Sequence, residues 1–309
     1  MIAGARCVLA TNSPEASELA AAWEQKTPQR HAASFEMEVF VDSGMDDTTD
    51  QGPFFRGQNH LVFAFLPPRG FVAYDLLRRR VHAVLSTAAA RDCCFWNNLL
   101  LPITIGVLGT TVGVIPLHSA CLDYDGNGLL LAGVSGAGKS TLSAAMAEHG
   151  FSFVSDDWTY ISKHGSLLMA HGLSSPVKLL PDTVKFFPRL RDLAPRTTLN
   201  GELAYELDPS CAEGFTVKRT SYPRRILFLE RTSQPGCEFV PCRPDDVRTF
   251  FECNGERLPD ELIEAKTFRT GIIETLSGCP AWILRSGDNP HKTAEAIGDF
   301  VAEAHNATV

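Results

Sequence analysis

The sequence predicts an α/β fold organised around a strand, a glycine loop and a helix, with a mainly antiparallel β region ahead of them. Three observations carry this. Gly133-Val134-Ser135-Gly136-Ala137-Gly138-Lys139-Ser140 fits G-x-x-x-x-G-K-[ST], the phosphate-binding loop. The loop follows the apolar run Leu129-Leu130-Leu131-Ala132 and opens an alanine-rich helical pattern from Thr141 to His149. A further β-rich run, Phe151-Ser152-Phe153-Val154-Ser155, ends in Asp156-Asp157.

Taken in order, residues 5–10 predict a short strand, and Pro14 to Trp23 a helix capped by Asn12 or Ser13. Phe35 to Val39 alternates like a half-buried strand. Gly44 to Gln51 is acidic and polar, which predicts a mobile loop. His60 to Leu66 and Gly70 to Asp75 read as strands joined by the turn Pro67-Pro68-Arg69-Gly70, with a further strand at Val81 to Leu85. Residues 1–86 therefore form the N-terminal β-rich region, and 87–309 a second domain that holds the glycine loop. Ala88 to Leu108 reads as a helix leading into it. Ser119 to Tyr124 and Leu129 to Ala132 pair as a hairpin around Asp125-Gly126-Asn127-Gly128. Beyond the acids, residues 158–240 mix short strands with proline-rich loops. Arg225 to Glu230 is a buried strand, Pro244 to Phe251 and Glu261 to Phe268 are helical, and Ala281 to Arg285 is a strand. The closing helix, Lys292 to Ala304, puts Ile297, Phe300, Val301 and Ala304 on one face.

Composition narrows the function. The chain has 309 residues, 44% of them hydrophobic, and 28 basic against 36 acidic residues give a net charge of −8. Without a compensating basic run, that balance speaks against a nucleic-acid surface. Arg78-Arg79-Arg80 is the densest basic cluster and is too short to change this. The nine cysteines form no C-x-x-C pair and no zinc-spaced cluster, which suits reduced thiols in a cytoplasmic protein. The first residues lack the pattern of a signal peptide. The most apolar stretch, Phe95 to Pro116, is interrupted by Asn97, Asn98 and Pro102 and reads as a buried helix and turn, not a membrane span.

Phosphoryl transfer asks for a phosphate cradle, a metal and an oriented nucleophile. The cradle is Gly133 to Thr141. Its glycines let backbone N–H groups wrap a polyphosphate, and the helix behind it aims its positive end at the same phosphates. Lys139 would reach the β- and γ-phosphates, and Ser140 would ligate Mg²⁺. In a strand–loop–helix–strand unit the strand ending in Asp156-Asp157 returns beside the loop strand. One acid can then bind Mg²⁺ and the other accept the proton of an attacking hydroxyl. Neighbours on a regular strand point to opposite faces, so the strand must end or bend there for both to reach the site. If Gly126-Asn127 is a two-residue turn, paired residues sum to 253 and His118 faces Ser135, beside the loop. Lys178, in the run Pro176 to Leu180, either contacts phosphate or substrate or runs to the surface along its apolar stem. Arg224 and Arg225 open a strand, where one either stabilises transition-state charge or belongs to a surface pair.

Leu117-His118, the loop Gly133 to Ser140, and Val154-Ser155-Asp156-Asp157 together resemble the catalytic domain of HPr kinase/phosphorylase and its HPr-kinase-like relatives. The resemblance covers roughly residues 88–309 and is densest over 117–158. It implies a compact α/β domain akin to phosphoenolpyruvate carboxykinase, and transfer of the γ-phosphate of ATP to a hydroxyl of a protein, a peptide or a small molecule. It further implies Asp156 as general base supported by His118, Asp157 and Ser140 as Mg²⁺ ligands, Lys139 on the phosphates, and a homo-oligomer. The family's Glu-x-Arg segment has no clean counterpart. Its nearest equivalent is Pro176-Val177-Lys178, with lysine in place of arginine and no glutamate. The first 86 residues also differ from the usual HPr kinase N-terminal domain. Both departures favour an acceptor other than HPr.

Two further classes compete. A transporter-type ATPase would show L-S-G-G-Q, which is absent, and Leu227-Phe228-Leu229-Glu230 imitates only weakly its strand ending in Asp-Glu. A nucleotide-binding regulator without catalysis would account for the missing Glu-x-Arg.

Overall fold

A computed structural model describes residues 2–21, 34–45, 53–173, 175–198, 202–234, 236–255, 257–287 and 289–306. The chain divides into two units, Met1–Pro116 with Glu256–Ile272, and Leu117–Gly255 with Ile273–Val309.

The first unit begins with β1 (Arg6–Thr11), α1 (Pro14–Ala21), β2 (Ser34–Asp42), β3 (Phe54–Gln58), β4 (Leu61–Leu66), β5 (Gly70–Asp75) and β6 (Arg80–Ser86). Ser13 caps α1, accepting from Ala16 N at 3.3 Å, while Asn12 instead grips the backbone of Val41. The sheet order is β1-β2-β6-β5-β4-β3. It is mixed: β1–β2 and β2–β6 are parallel, and the other three pairings are antiparallel. The parallel pairs join segments far apart in sequence, which local patterning cannot reveal. β3 was not read from the sequence, and most of the Gly44–Gln51 stretch lies outside the described residues, as do Ala22 and Trp23.

A helical run follows: α2 (Thr87–Arg91), α3 (Cys93–Phe95), a π-helical turn (Trp96–Leu100) and α4 (Leu101–Leu108). It is not the single helix expected. Asp92 stops α2 and its carboxylate caps α3 through Phe95 N at 3.0 Å. The π turn comes just before Pro102, which has no N–H to continue the ladder; Leu101 N–H reaches back five residues to Trp96 O. Cys93–Val112 is long and apolar enough to cross a membrane by length and composition, and half of it is buried. Trp96, Leu100, Ile105 and Leu108 are among its buried side chains, and Thr104 meets the buried Tyr74 hydroxyl at 3.5 Å. Those contacts, with an Arg69–Asp92 ion pair, tie the run to the sheet of the first unit. The units therefore divide after Pro116 and not after residue 86. β7 (Val114–Leu117) carries the chain onward.

The second unit contains β8 (Ser119–Tyr124), β9 (Asn127–Ala132), α5 (Lys139–Glu148), β10 (Ser152–Ser155), β11 (Thr159–His164) and β12 (Leu167–His171). Then come β13 (Val177–Leu179), β14 (Arg196–Thr197), β15 (Leu203–Leu207), β16 (Thr216–Val217), the twelve-residue β17 (Thr220–Arg231) and β18 (Cys237–Pro241). The helix α6 (Pro244–Cys253) follows, α7 (Ile263–Ser277) leads back into this unit, and β19 (Ala281–Ser286) and α8 (Pro290–Asn306) close it. The main sheet runs β16-β10-β8-β9-β17-β12-β11. Along its outer edge β17 also pairs β19, which pairs β18, while β13, β15 and β14 form a small separate sheet. α5 and α8 cover one face of the main sheet. Their Leu142, Met146, Ile297 and Val301 pack with Leu122, Leu129, Leu131 and Leu227 in a single core. Phe300 stacks on Phe239 at 4.1 Å, while the Ala304 side chain lies outside the described residues.

The β8–β9 hairpin closes on Asp125-Gly126, whose φ values of 51° and 84° are both left-handed, as a type I′ turn requires. Tyr124 faces Asn127 and Ser119 faces Ala132, so paired residues sum to 251. His118 therefore stands opposite Gly133, at the loop's first residue, and not opposite Ser135. β10 does not lie beside β9, contrary to the expectation from a simple strand–loop–helix–strand unit. It pairs antiparallel with β8, which stands between them. β10 still runs in the same direction as β9, so its C-terminal end reaches the loop end of the sheet.

At the other end of the hairpin, buried Asp123 binds Lys218, Ser221 and, at 3.0 Å, Gly126 N. Burial works against its charge, but these partners prevail and hold its carboxyl below the usual carboxylate range. Asp123→Ala leaves Lys218 and Gly126 N–H without their acceptor, and we expect a loss of about 2–3 kcal/mol in urea unfolding at pH 7. The sign follows from the depressed value: the loss is complete above the unfolded carboxylate pKa and vanishes as pH falls through the folded one. Nucleotide binding by the folded fraction should be unchanged, because Asp123 sits at the end of β8 away from the glycine loop.

Candidate functional site

The glycine loop leaves β9 at Gly133 and enters α5 at Lys139. Ala137 N bonds Val134 O at 3.1 Å, which folds the loop on itself. Gly138 is the N-cap of α5, with φ = 95°, a conformation that needs glycine. No side chain caps this helix and no acid lies in its first turn, so its leading N–H groups are left without a side-chain acceptor. Val134, Ser135 and Gly136 are exposed, Ser140 and Thr141 half-buried, and Lys139 buried. The Lys139 ammonium bonds Gly133 O at 3.0 Å and Val134 O at 3.4 Å. Burial pulls its pKa down, against the opposing pull of Asp157 and Asp156.

Strand β10 brings the two acids to this loop and then breaks as required. Asp157 has φ = 64°, and Trp158 N bonds Asp156 O at 2.7 Å. This is a γ-turn of the rare, strained sense centred on Asp157. It is clamped from below: the buried Ser155 and Thr159 hydroxyls meet at 2.7 Å across the turn, and Thr159 donates to Ser119 O at 2.7 Å. Behind β10, Gly172 lies so close that a Cβ there would stand 1.6 Å from Val154 O. Ser155, Thr159 and Gly172 escaped the sequence reading, since each acts through a partner distant in sequence.

The turn separates the chemistry of the acids. Asp157 accepts from His118 Nε2 at 3.0 Å. Burial alone would raise its pKa, but His118, Lys178 and Lys139 hold it below the usual carboxylate range. Asp156 is the opposite case. Burial pushes it up to about 6, the Ser140 hydroxyl bond pulls back, and the charge of Asp157 pushes further. Its Oδ1 is buried with no hydrogen-bond partner among the described residues. The environments of these neighbouring carboxylates thus drive their pKa values apart, an arrangement suited to divided acid–base roles. Where the resemblance has His118 support Asp156, the ring bonds Asp157 instead, because the γ-turn swings that carboxylate toward the start of β8. Trp158, partly exposed, lies with its ring centroid 5.6 Å from that of His118.

The remaining basic residues divide. Lys178, half-buried on β13, is close enough for its charge to act on Asp157. Arg224 and Arg225 are not brought to the loop. β17 runs parallel to β9 with Arg225 opposite Leu129, four residues before Gly133, or roughly 13 Å along the strand. The arginine that does arrive is Arg231, at the far end of the same strand. A Cβ on Gly138 would lie 2.9 Å from its Nη2. A sequence signal existed only in the length of the apolar run, which implies that its C-terminal end travels with the end of β9.

The residues present suit a magnesium ion. Ser140 and the ionised Asp157 offer hard oxygen ligands, and Asp156 Oδ1 is an unsatisfied oxygen beside them. Among the described residues no group of three or more His, Cys, Asp or Glu could hold a metal. Magnesium usually takes one or two carboxylates and completes its shell with water and phosphate.

No protein-family model matches the chain, and no curated protein sequence matches it. Among solved structures it is similar to the HPr(Ser) kinase/phosphatase from Coxiella burnetii, with 14% sequence identity and a TM-score of 0.34, over 62% of this chain and 97% of that one.

The raised pKa of Asp156 has a consequence for stability. A carboxyl whose folded value is about 6 and whose unfolded value is about 3.9 makes folding less favourable once it ionises. Stability therefore falls as pH rises between those values and stays low above them. Asp156→Asn should stabilise the metal- and nucleotide-free protein at pH 7.5 by on the order of 2–3 kcal/mol. At pH 4 the gain should nearly vanish. Urea unfolding in EDTA at both pH values checks this, and equal effects at both would sink it.

Proposed function

We propose that this protein is a Mg²⁺-dependent kinase that transfers the γ-phosphate of ATP to a hydroxyl of a protein, a peptide or a small molecule. The observation that carries the reading is Asp156: a half-buried aspartate with a buried, unpartnered Oδ1 and a pKa pushed up to about 6, next to the lysine of a glycine loop. A phosphate-binding loop alone would serve any nucleotide binder. A base poised just below neutral pH serves an enzyme that must take a proton.

On this reading the loop amides, Lys139 and the N-terminus of α5 hold the phosphate chain. Ser140 and Asp157 would hold Mg²⁺, which when bound would offset the charge of the phosphate chain. His118 fixes the Asp157 carboxylate, so its first role is positioning. Asp156 Oδ1 accepts the hydrogen of the acceptor hydroxyl. The acceptor oxygen bonds to the γ-phosphorus, the bond from that phosphorus to the β–γ bridging oxygen breaks, and ADP departs with that electron pair. Lys178 lies on the acceptor side, where its charge can meet a transferring phosphoryl group. The cytoplasm, which supplies Mg²⁺ and ATP, is the compartment that fits this chemistry.

Asp156→Asn should lower transfer by ~10²–10⁴-fold while the affinity for ATP stays within a few-fold of wild type. Transfer at the wild-type rate would refute its role as base. Lys139→Ala should weaken both nucleotide binding and turnover, and unchanged affinity would count against the loop as cradle. γ-Labelled ATP with a peptide library and cell extract separates the alternatives. Label in a hydroxyl product supports a kinase, free phosphate alone an ATPase, and neither a regulatory binder.

A further inference from the structure

We infer that Arg231 is the phosphate ligand on the nucleotide side of this site, binding the α- and β-phosphates that ATP and ADP share. The inference rests on the nucleotide reading of the glycine loop and adds a residue that the loop motif does not contain.

Alternation along β17 sets the direction of its side chains. Leu227 belongs to the core under α5, and Leu229 packs against that core. The backbone carbonyl of Leu229 would lie 3.3 Å from a Cβ on Gly133. Arg231 is next in this row. Its Nη2, Nε and Cζ would stand 2.9, 3.3 and 3.5 Å from a Cβ on Gly138. The guanidinium thus lies along the exit of the loop, where α5 begins.

A cation there is costly in the absence of an anion. It faces the positive end of α5, in a loop that already carries Lys139. The nearby carboxylates on the sheet are engaged elsewhere: Arg285 takes Glu230 at 3.3 Å and Glu238 at 3.4 Å. Among the described residues the Arg231 side chain has no hydrogen-bonded or ion-paired partner, and the residue is exposed. An unpaired fork of N–H donors on an exposed residue, beside helix amides without a side-chain acceptor, is suited to a phosphate.

Strand order decides which phosphate. At this end of the sheet the sequence of strands is β10, β8, β9, β17. Asp156 and Asp157 follow β10, and His118 precedes β8, so base and metal ligands lie on one flank of the loop. Arg231 lies on the opposite flank. The phosphoryl group in transfer must sit by the base, which leaves the α- and β-phosphates on the side of Arg231.

Calorimetric titration of the full chain with Mg-ADP and Mg-ATP tests this, with wild type, Arg231→Ala and Arg231→Lys. Arg231→Ala should weaken both nucleotides alike, by about ten- to a hundredfold, as expected for loss of a charge-assisted contact. Arg231→Lys should recover part of the affinity, since it restores the charge without the fork. In turnover, KM for ATP should rise more than kcat falls. The unfolding midpoint of Arg231→Ala without nucleotide should not drop, which separates a ligand contact from a structural one. Wild-type protein that binds neither nucleotide would overturn the nucleotide reading and this assignment together. Wild-type binding with an equally tight Arg231→Ala would overturn the assignment alone. Loss confined to ATP, with ADP affinity intact, would move Arg231 to the γ-phosphate and also overturn it.

Discussion

The register of the β8–β9 hairpin is the constraint on which the candidate site depends. A type I′ turn at Asp125-Gly126 fixes it, and the strands that bring the two acids and Arg231 to the loop are then placed by pairing onto one of these two strands. β8 puts His118 opposite the first residue of the loop. β10, paired to β8, delivers Asp156 and Asp157. β17, paired to β9 on the other side, delivers Arg231. A slip of one residue would turn alternate side chains to the opposite face and move His118 away from Asp157. The Asp123 cluster beneath the turn opposes such a slip, since it binds the hairpin to Lys218 and Ser221.

Within that frame the acids carry the strain. Asp157 adopts a left-handed backbone that a non-glycine residue avoids, and Asp156 keeps a carboxylate oxygen buried without a partner. Each feature costs about 1–3 kcal/mol and persists only where its surroundings over-determine it. The surroundings here are the Ser155–Thr159–Ser119 hydrogen bonds and the contact of Gly172 with the backbone of β10. A turn serving only to connect β10 to β11 would have no need of either cost. The concentration of strain at one corner, with a stiff support under it, is what separates this site from an ordinary glycine turn before a helix.

Much of this corner was legible in the sequence because its signals are local. The glycine loop, its flanking apolar run and helix, and the acids at a strand end are each contiguous patterns. The need for an irregularity at Asp156-Asp157 followed from strand geometry alone, and a γ-turn meets it. What the sequence misplaced depended on partners far along the chain. Asp125-Gly126-Asn127-Gly128 offers two candidate turns, and the choice between them rests on Gly128, where a Cβ would meet Ser221 Oγ and Tyr222 O at 2.8 Å. Gly128 is thus a point of close strand approach and not a turn residue. The sequence points to Arg224 and Arg225 and passes over Arg231, because the direction of β17 against β9 cannot be read locally. The same holds for the parallel pairs of the N-terminal sheet, and for the helical run that joins the first unit through Tyr74, Arg69 and Asp92.

The two flanks of the loop imply different evolutionary freedoms under the kinase reading. The β17 flank meets what every nucleoside triphosphate shares, so a rigid strand end is an adequate support for it. The β10 flank meets the acceptor, and there the side chains beyond the acids are a partly exposed tryptophan and a lysine on a short, separate sheet. Trp158 stands at the end of the strained turn and beside the His118 ring, the same ring that binds the Asp157 carboxylate. Lys178 holds its place through Val177 and Leu179, both buried in the core under α5. Acceptor choice would then be set by elements that can change without moving β8, β9 or the loop. A phosphotransfer frame can in this way serve different hydroxyls while its cradle, metal ligands and base stay where the hairpin puts them.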